Sequence, residues 1–165
     1  HENWEDSLRG LLIERAVSTD SAALMKRREK VFELADRYLS GHFSSASPLE
    51  AIHAMGPEAT RLYVEHLWRH PARLSALLNV EDPTRFFSPP PGRSIPPDEV
   101  TWLRRRLQSL NPDDPADQVR LLILAHMING LGDRGAALEP DIARFRRNPQ
   151  TREIVEDLTK RWHGR

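Results

Sequence analysis

Apolar side chains recur at spacings of three and four through most of this chain, and no segment keeps the strict alternation of a half-buried strand. The fold class that follows is all-α, a helical bundle or short α-solenoid of antiparallel helix pairs with about 7–9 helices. Over 4–17 the face is Trp4, Leu8, Leu11, Leu12 and Ile13, with Asn3 placed to cap and Glu5 and Asp6 in the first turn, where the helix dipole favours acids. A break at 18–21 precedes a longer helix over 22–39, apolar at Leu24, Val31, Leu34, Ala35, Tyr38 and Leu39 and ended by Gly41. Pro48 opens a short helix over 49–55, and Gly56-Pro57 turns the chain. A helix over 57–70 carrying Leu62, Tyr63, Leu67 and Trp68 follows, and Pro71 restarts another through 78.

Residues 79–97, NVEDPTRFFSPPPGRSIPP, are too rich in proline for regular helix or central strand and read as an irregular linker. Phe86 and Phe87 within it either pin the linker to the domain or mark a partner contact, since two adjacent exposed rings are costly. A helix over 98–110 turns Val100, Leu103, Leu107 and Leu110 inward. Asp117 then stands as the cap of a helix over 119–129 whose Leu121, Leu122, Ile123, Leu124, Met127 and Ile128 leave little polar face, which places it in the middle of the core. A glycine corner at 130–135 leads to a second, more charged helical run that stops at Asn148-Pro149. The last helix, over 150–162, has Ile154, Val155, Leu158 and Trp162 on one side and Thr151 available to cap. The chain reads as one domain, with an N-terminal helical pair (1–42), a helical unit (47–78), the linker (79–97) and a C-terminal helical unit (98–165).

A glycine, an acidic proline-containing helix start and a charged helix ending in proline occur three times: GPEATRLYVEHLWRHP, GRSIPPDEVTWLRRRLQSLNP and GAALEPDIARFRRNP. The glycines are separated by 36 (56 to 92) and 40 (92 to 132) residues, the last segment aligning from either Gly132 or Gly135, and the terminal prolines by 41 (71 to 112) and 37 (112 to 149). Such periods suit two-helix repeats that bury their apolar faces against neighbours. With Val119-Arg120 at the head of one helix, Ala125 inside it, Leu131-Gly132-Asp133 at the corner and Ala137 and Ile142 beyond, residues 119–149 resemble a HEAT-like repeat of the short PBS-lyase type. Residues 51–70 resemble it at the corner only, and the middle unit has linker where a first helix should stand. The resemblance implies a binding or scaffold role. A helix, a glycine corner and a helix are also what any antiparallel bundle uses, so repeat array and plain bundle both stay open.

Charge and composition narrow the chemistry. Lys+Arg and Asp+Glu both total 24, so no global field draws in nucleic acid or an anionic surface. Zero cysteines remove disulfides, thiolate chemistry and Cys-ligated metal. No apolar run approaches the roughly 20 residues of a membrane span, and a cytoplasmic location is the expectation. The start at His1, without Met, leads us to expect a trimmed or tagged piece of a larger protein.

His66 and His70, four apart on the expected helix, have the spacing for two imidazoles to share a metal, with His53 as a conceivable third ligand. Glu65 precedes His66, so this is not the HExxH order. Arg61 and His66, in RLYVEH, resemble the Arg-four-residues-His signature of HEPN ribonucleases, which are all-α; the resemblance implies metal-independent RNA cleavage by those two residues. Arg104-Arg105-Arg106 and Arg144, Arg146 and Arg147, with Trp102 and Phe145 beside them, make a basic aromatic face if consecutive second helices line up, although nearby Glu99, Asp141, Asp113 and Asp114 favour ion-paired helix faces. His126, inside an apolar helix, reads as a core histidine. The function expected is a non-enzymatic protein-interaction or scaffold domain with no cofactor, contacting a protein partner through Phe86, Phe87, Arg104, Arg105, Arg146 and Arg147. The alternatives are an RNA-binding protein or ribonuclease using Arg61 and His66, and a metal-binding domain using His66 and His70.

Overall fold

The computed structural model describes residues 21–164. The helix expected over 4–17, with its cap at Asn3, lies outside them. Among the described residues the chain forms nine α-helices and no strand: α1 (Ser21–Leu39), α2 (Ser47–Met55), α3 (Pro57–Leu67), α4 (Pro71–Leu78), α5 (Pro83–Phe87), α6 (Glu99–Ser109), α7 (Pro115–Gly130), α8 (Glu139–Ile142) and α9 (Pro149–His163). None is long and apolar enough to cross a membrane.

Prolines do much of the punctuation. Helices α2, α3, α4, α5, α7, α8 and α9 each carry one at the first or second position, where the missing N–H has no partner to lose. Side-chain caps complete three of these starts: Asp82 accepts from the Arg85 N–H at 3.0 Å, Asp114 from Ala116 at 2.9 Å and Asn148 from Gln150 at 2.8 Å. Two expected caps are thereby corrected. Pro115 starts α7 two residues ahead of Asp117, which instead pairs with Arg120 at 2.7 Å and accepts from the Asn111 N–H at 2.8 Å. The Thr151 hydroxyl donates to the Phe145 carbonyl at 2.6 Å.

α1 ends as expected near Gly41, with His42 N–H bonded to the Arg37 carbonyl at 2.8 Å and Gly41 N–H to Tyr38 at 3.1 Å, the paired bonds of a Schellman motif. Only Gly56 separates α2 from α3. Its φ of +106° with ψ of 177° is a conformation open to glycine alone, and it lets one helix follow another without a loop. α3 stops at Leu67 rather than running to 70, because a residue before proline is driven out of helical geometry; His70, before Pro71, has φ −123° and ψ 76°.

α7 is the centre of the core. Leu121, Ile123, Leu124, Ala125, Met127 and Ile128 are buried on it, and it packs against α4, α5, α6, α9 and the segment that follows it. Its exposed line includes Leu122, at 39%. This is a bundle around one helix.

The second arm of the hairpin differs from expectation. Residues 132–147 wind as a tight 3₁₀ segment (Gly132–Leu138), the single α turn of α8 and a second 3₁₀ segment (Ala143–Arg147). Gly132 begins it at φ +63°, and Pro140 supplies no N–H to a continuous α ladder. Leu138, Ile142 and Phe145 all turn inward, at most 1% exposed, so the Phe145 ring expected on a basic aromatic face lies in the core instead. At Gly135 a side-chain Cβ would stand 2.9 Å from Trp162 Cζ2 and 3.2 Å from the Ile128 carbonyl oxygen, so α9 and the end of α7 close directly over it.

Leu124→Ala should lower the unfolding free energy by about 2–5 kcal/mol through the cavity it leaves, and Leu122→Ala by under about 1 kcal/mol. Gly135→Ala should destabilise by about 1–3 kcal/mol from overpacking. Urea midpoints at constant m-value check all three; a Gly135→Ala protein as stable as the parent would contradict the close approach of Trp162.

Candidate functional site

The polar side chains singled out from the sequence are mostly committed to contacts between helices. On α3, Arg61 donates to both Asp98 oxygens at 3.1 and 3.3 Å and to Glu99 at 3.4 Å, reaching the start of α6. Burial works against the Arg61 charge, but the Asp98 hydrogen bond and the two carboxylates outweigh it and raise its pKa. The Arg61 bond holds Asp98 below the usual carboxylate range. Glu99, 5% exposed, is pushed up by burial, a shift that Arg61 only partly offsets.

His66 lies five residues on and engages a different element, as five residues take a helix well past one turn. Its Nε2 bonds Asp36 of α1 at 2.6 Å, the Tyr63 hydroxyl donates to the other Asp36 oxygen at 3.0 Å, and Arg73 of α4 stands 3.8 Å away. Burial first and Asp36 second raise the Tyr63 pKa, keeping the phenol protonated. Asp36 thus joins α1, α3 and α4. Arg61 and His66 do not converge on a common point. His70 has left the helix and is exposed, so it does not stack above His66. His53 bonds the Ser88 carbonyl at 2.9 Å. Among the described residues no group of three His, Asp or Glu side chains could hold a metal ion.

The arginine clusters do not form one basic face. Arg104 bonds Asp141 at 3.0 Å and the Ala137 carbonyl at 3.1 Å, while Arg144 donates to the Leu107 and Leu110 carbonyls at the end of α6 and lies 4.5 Å over the Phe145 ring. Arg146 reaches Thr159 at 3.3 Å, Arg147 pairs with Asp113 at 3.9 Å on the surface, and Arg105 is exposed. Arg106 has a role that sequence did not suggest. With Arg61, Trp102, Trp68 and Arg120 it makes an alternating ladder, guanidinium to ring centroid 5.8, 5.5, 5.0 and 5.8 Å in turn. Each contact contributes about 0.5–2 kcal/mol depending on desolvation. Glu65 holds the middle, accepting from the Trp102 indole N–H and standing 3.8 Å from Arg106. The ladder ties α3, α6 and α7 and the turn after α3 together.

Phe86 and Phe87, expected either to pin the linker or to contact a partner, are 5% and 7% exposed, so they pin it. Pro83 and the Asp82 cap give residues 83–87 one helical turn and a half within the supposed linker, and this sets the two rings edge to face, 5.1 Å apart at 85°. Phe87 stacks on His126 of α7 at 5.4 Å and 18°. His126 is half-buried, and that burial lowers its pKa.

Phe86 meanwhile closes one side of a cleft of about 500 Å³ lined by Tyr38 at the end of α1, Ala46, Leu49, Glu50 and His53 along α2, and Val80, Glu81, Asp82 and Arg85 at the start of α5. The volume is in the range of ligand pockets. Because a carbonyl only accepts, the Ser88 bond makes His53 Nε2 the donor and leaves Nδ1 as the acceptor in the neutral ring. Nothing in the sequence marks this cleft: its residues come from three separate segments, and of them Phe86 stands out in the sequence for a partner contact and His53 for a metal site.

The Arg61–Glu99 pair has a testable pH signature. Arg61→Ala should cost about 3 kcal/mol at neutral pH by leaving Glu99 buried and unpaired. Glu99 binds its proton more tightly folded than unfolded, so its unfavourable contribution grows as pH rises from the unfolded carboxyl pKa through the raised folded one and shrinks on acidification. Denaturation of Arg61→Ala from pH 4 to 8 should show the deficit narrowing towards the acid end, and adding Glu99→Gln should recover part of it at pH 7; a pH-independent deficit would refute the assignment. No protein-family model matches the sequence, and neither a curated protein nor a solved structure matches it.

Proposed function

We propose that this chain is a non-enzymatic helical interaction domain that holds a segment of a protein partner in the cleft between α1, α2 and α5. The observation that carries the reading is the cleft itself. Tyr38, Leu49, Glu50, His53, Arg85 and Phe86 line it from helices, and Phe86 is locked between the cleft and the core, so much of the recessed surface is preformed and its ordering cost on binding is reduced. The mixture of aromatic, aliphatic and charged lining suits a side chain with an apolar stem and a polar tip. A ribonuclease reading finds less support, because Arg61 and His66 are each already bound to an acid on a different helix.

Selection of a displayed random-peptide library on the full chain tests this. Enriched peptides should bind the parent and lose at least about tenfold in affinity for Ala46→Trp, which places an indole in the cleft from an exposed position while the thermal midpoint is retained. Peptides that bind Ala46→Trp as tightly as the parent would place recognition elsewhere and overturn the reading.

A further inference from the structure

We infer that the cleft is specific for a cationic side chain, lysine or arginine, on the partner segment; this rests on the binding reading above. Tyr38, Leu49, Val80 and Phe86 offer apolar surface, and Glu50, Glu81 and Asp82 stand around it with Arg85 as the one cation of the lining. The acids that tie helices together are matched: Asp36 with His66, Asp98 and Glu99 with Arg61, Asp117 with Arg120, Asp141 with Arg104. Glu50 and Glu81 have no such match among the described residues, and Asp82 spends one oxygen on the Arg85 N–H and keeps the other. Three carboxylates at a recess that offers one guanidinium are placed to receive a further cation.

The opposing field is smaller. The starts of α2 and α5 both reach the cleft, and a full helix start is worth about +0.5 of a charge, less for an element as short as α5. Three carboxylates against one guanidinium leave two negative charges, so the two helix starts together reduce the balance to about one and do not reverse it. An anion entering the cleft meets a net repulsion. A lysine or arginine stem, by contrast, lies along the ring and aliphatic surface while its head reaches the carboxylates with charge-assisted hydrogen bonds.

Titration of the isotopically labelled full chain with four capped amino acids reads this directly, following the backbone amide resonances of Leu49, His53, Val80 and Phe86. The amides of N-acetyl-arginine and N-acetyl-lysine should shift them at millimolar concentration, N-acetyl-citrulline amide, the neutral near-isostere of arginine, should bind at least about tenfold more weakly, and N-acetyl-glutamate amide should leave them unmoved. The double variant Glu50→Gln/Glu81→Gln, with both changes at exposed positions, should lose the preference for arginine over citrulline while keeping its circular dichroism and melting point. Equal shifts with arginine and citrulline, no shift with any of the four, or an undiminished preference in the double variant would each overturn the inference. Those outcomes leave the binding reading intact provided selected peptides still fail on Ala46→Trp, whereas peptides indifferent to Ala46→Trp remove that reading independently.

Discussion

The rest of the molecule depends on covering α7. Six of its sixteen residues carry apolar side chains that are almost wholly removed from water, each contributing about 1–3 kcal/mol when fully buried, less for Ala125. One neighbour cannot supply that cover, because the buried positions occupy most of the helix circumference. α4, α5 and α6 come from before it in sequence, the 132–138 segment and α9 from after it, so neither part supplies the whole cover. The proline-rich segment is drawn into this arrangement: at Gly130 a Cβ would lie 3.1 Å from the Phe87 carbonyl oxygen and 3.7 Å from Pro89, which places the segment directly against the end of α7.

Apolar cover is non-directional, and the polar contacts supply the direction that it lacks. Asp36 fixes α1 against α3 and α4 through three side chains of different reach. The Arg–Trp ladder fixes α3 against α6 and α7, and Arg144 fastens the 3₁₀ segment to carbonyls at the end of α6. These are planar groups, guanidinium against indole or carboxylate, whose geometry tolerates little sliding. Individually they are modest in energy; their effect is to select one packing among the several that apolar surface alone would allow.

Much of this was legible from residue spacing. Three-and-four periodicity gave α1, α6, α7 and α9 with their inward faces, since burial of an amphipathic stripe is decided by the sequence of that stripe, while Pro48 and Pro71 marked where α2 and α4 begin. Helix type over 132–147 was not legible, because Leu138, Ile142 and Phe145 satisfy α and 3₁₀ windings almost equally and the packing of Trp162 over Gly135 intervenes. The end of α3 was readable in principle from Pro71, whose effect on His70 was overlooked in favour of apolar spacing. The Asp36 hub, the ladder and the cleft were invisible for a different reason. Each joins residues about 30 or more positions apart, as Asp36 with His66 or Arg106 with Trp68, and a single sequence contains no information on such pairings.

Most of the helices here are too short to persist alone, since helices below about 12–15 residues are marginal in water. The prolines that open seven of them act on the other side of the equilibrium. A ring that fixes φ near its helical value removes conformations from the unfolded chain that folding would otherwise have to forfeit, worth about 0.4–1 kcal/mol at each compatible position. Part of what holds this fold together is therefore absent from any inventory of its contacts: the unfolded chain is already restricted at the places where its helices will begin.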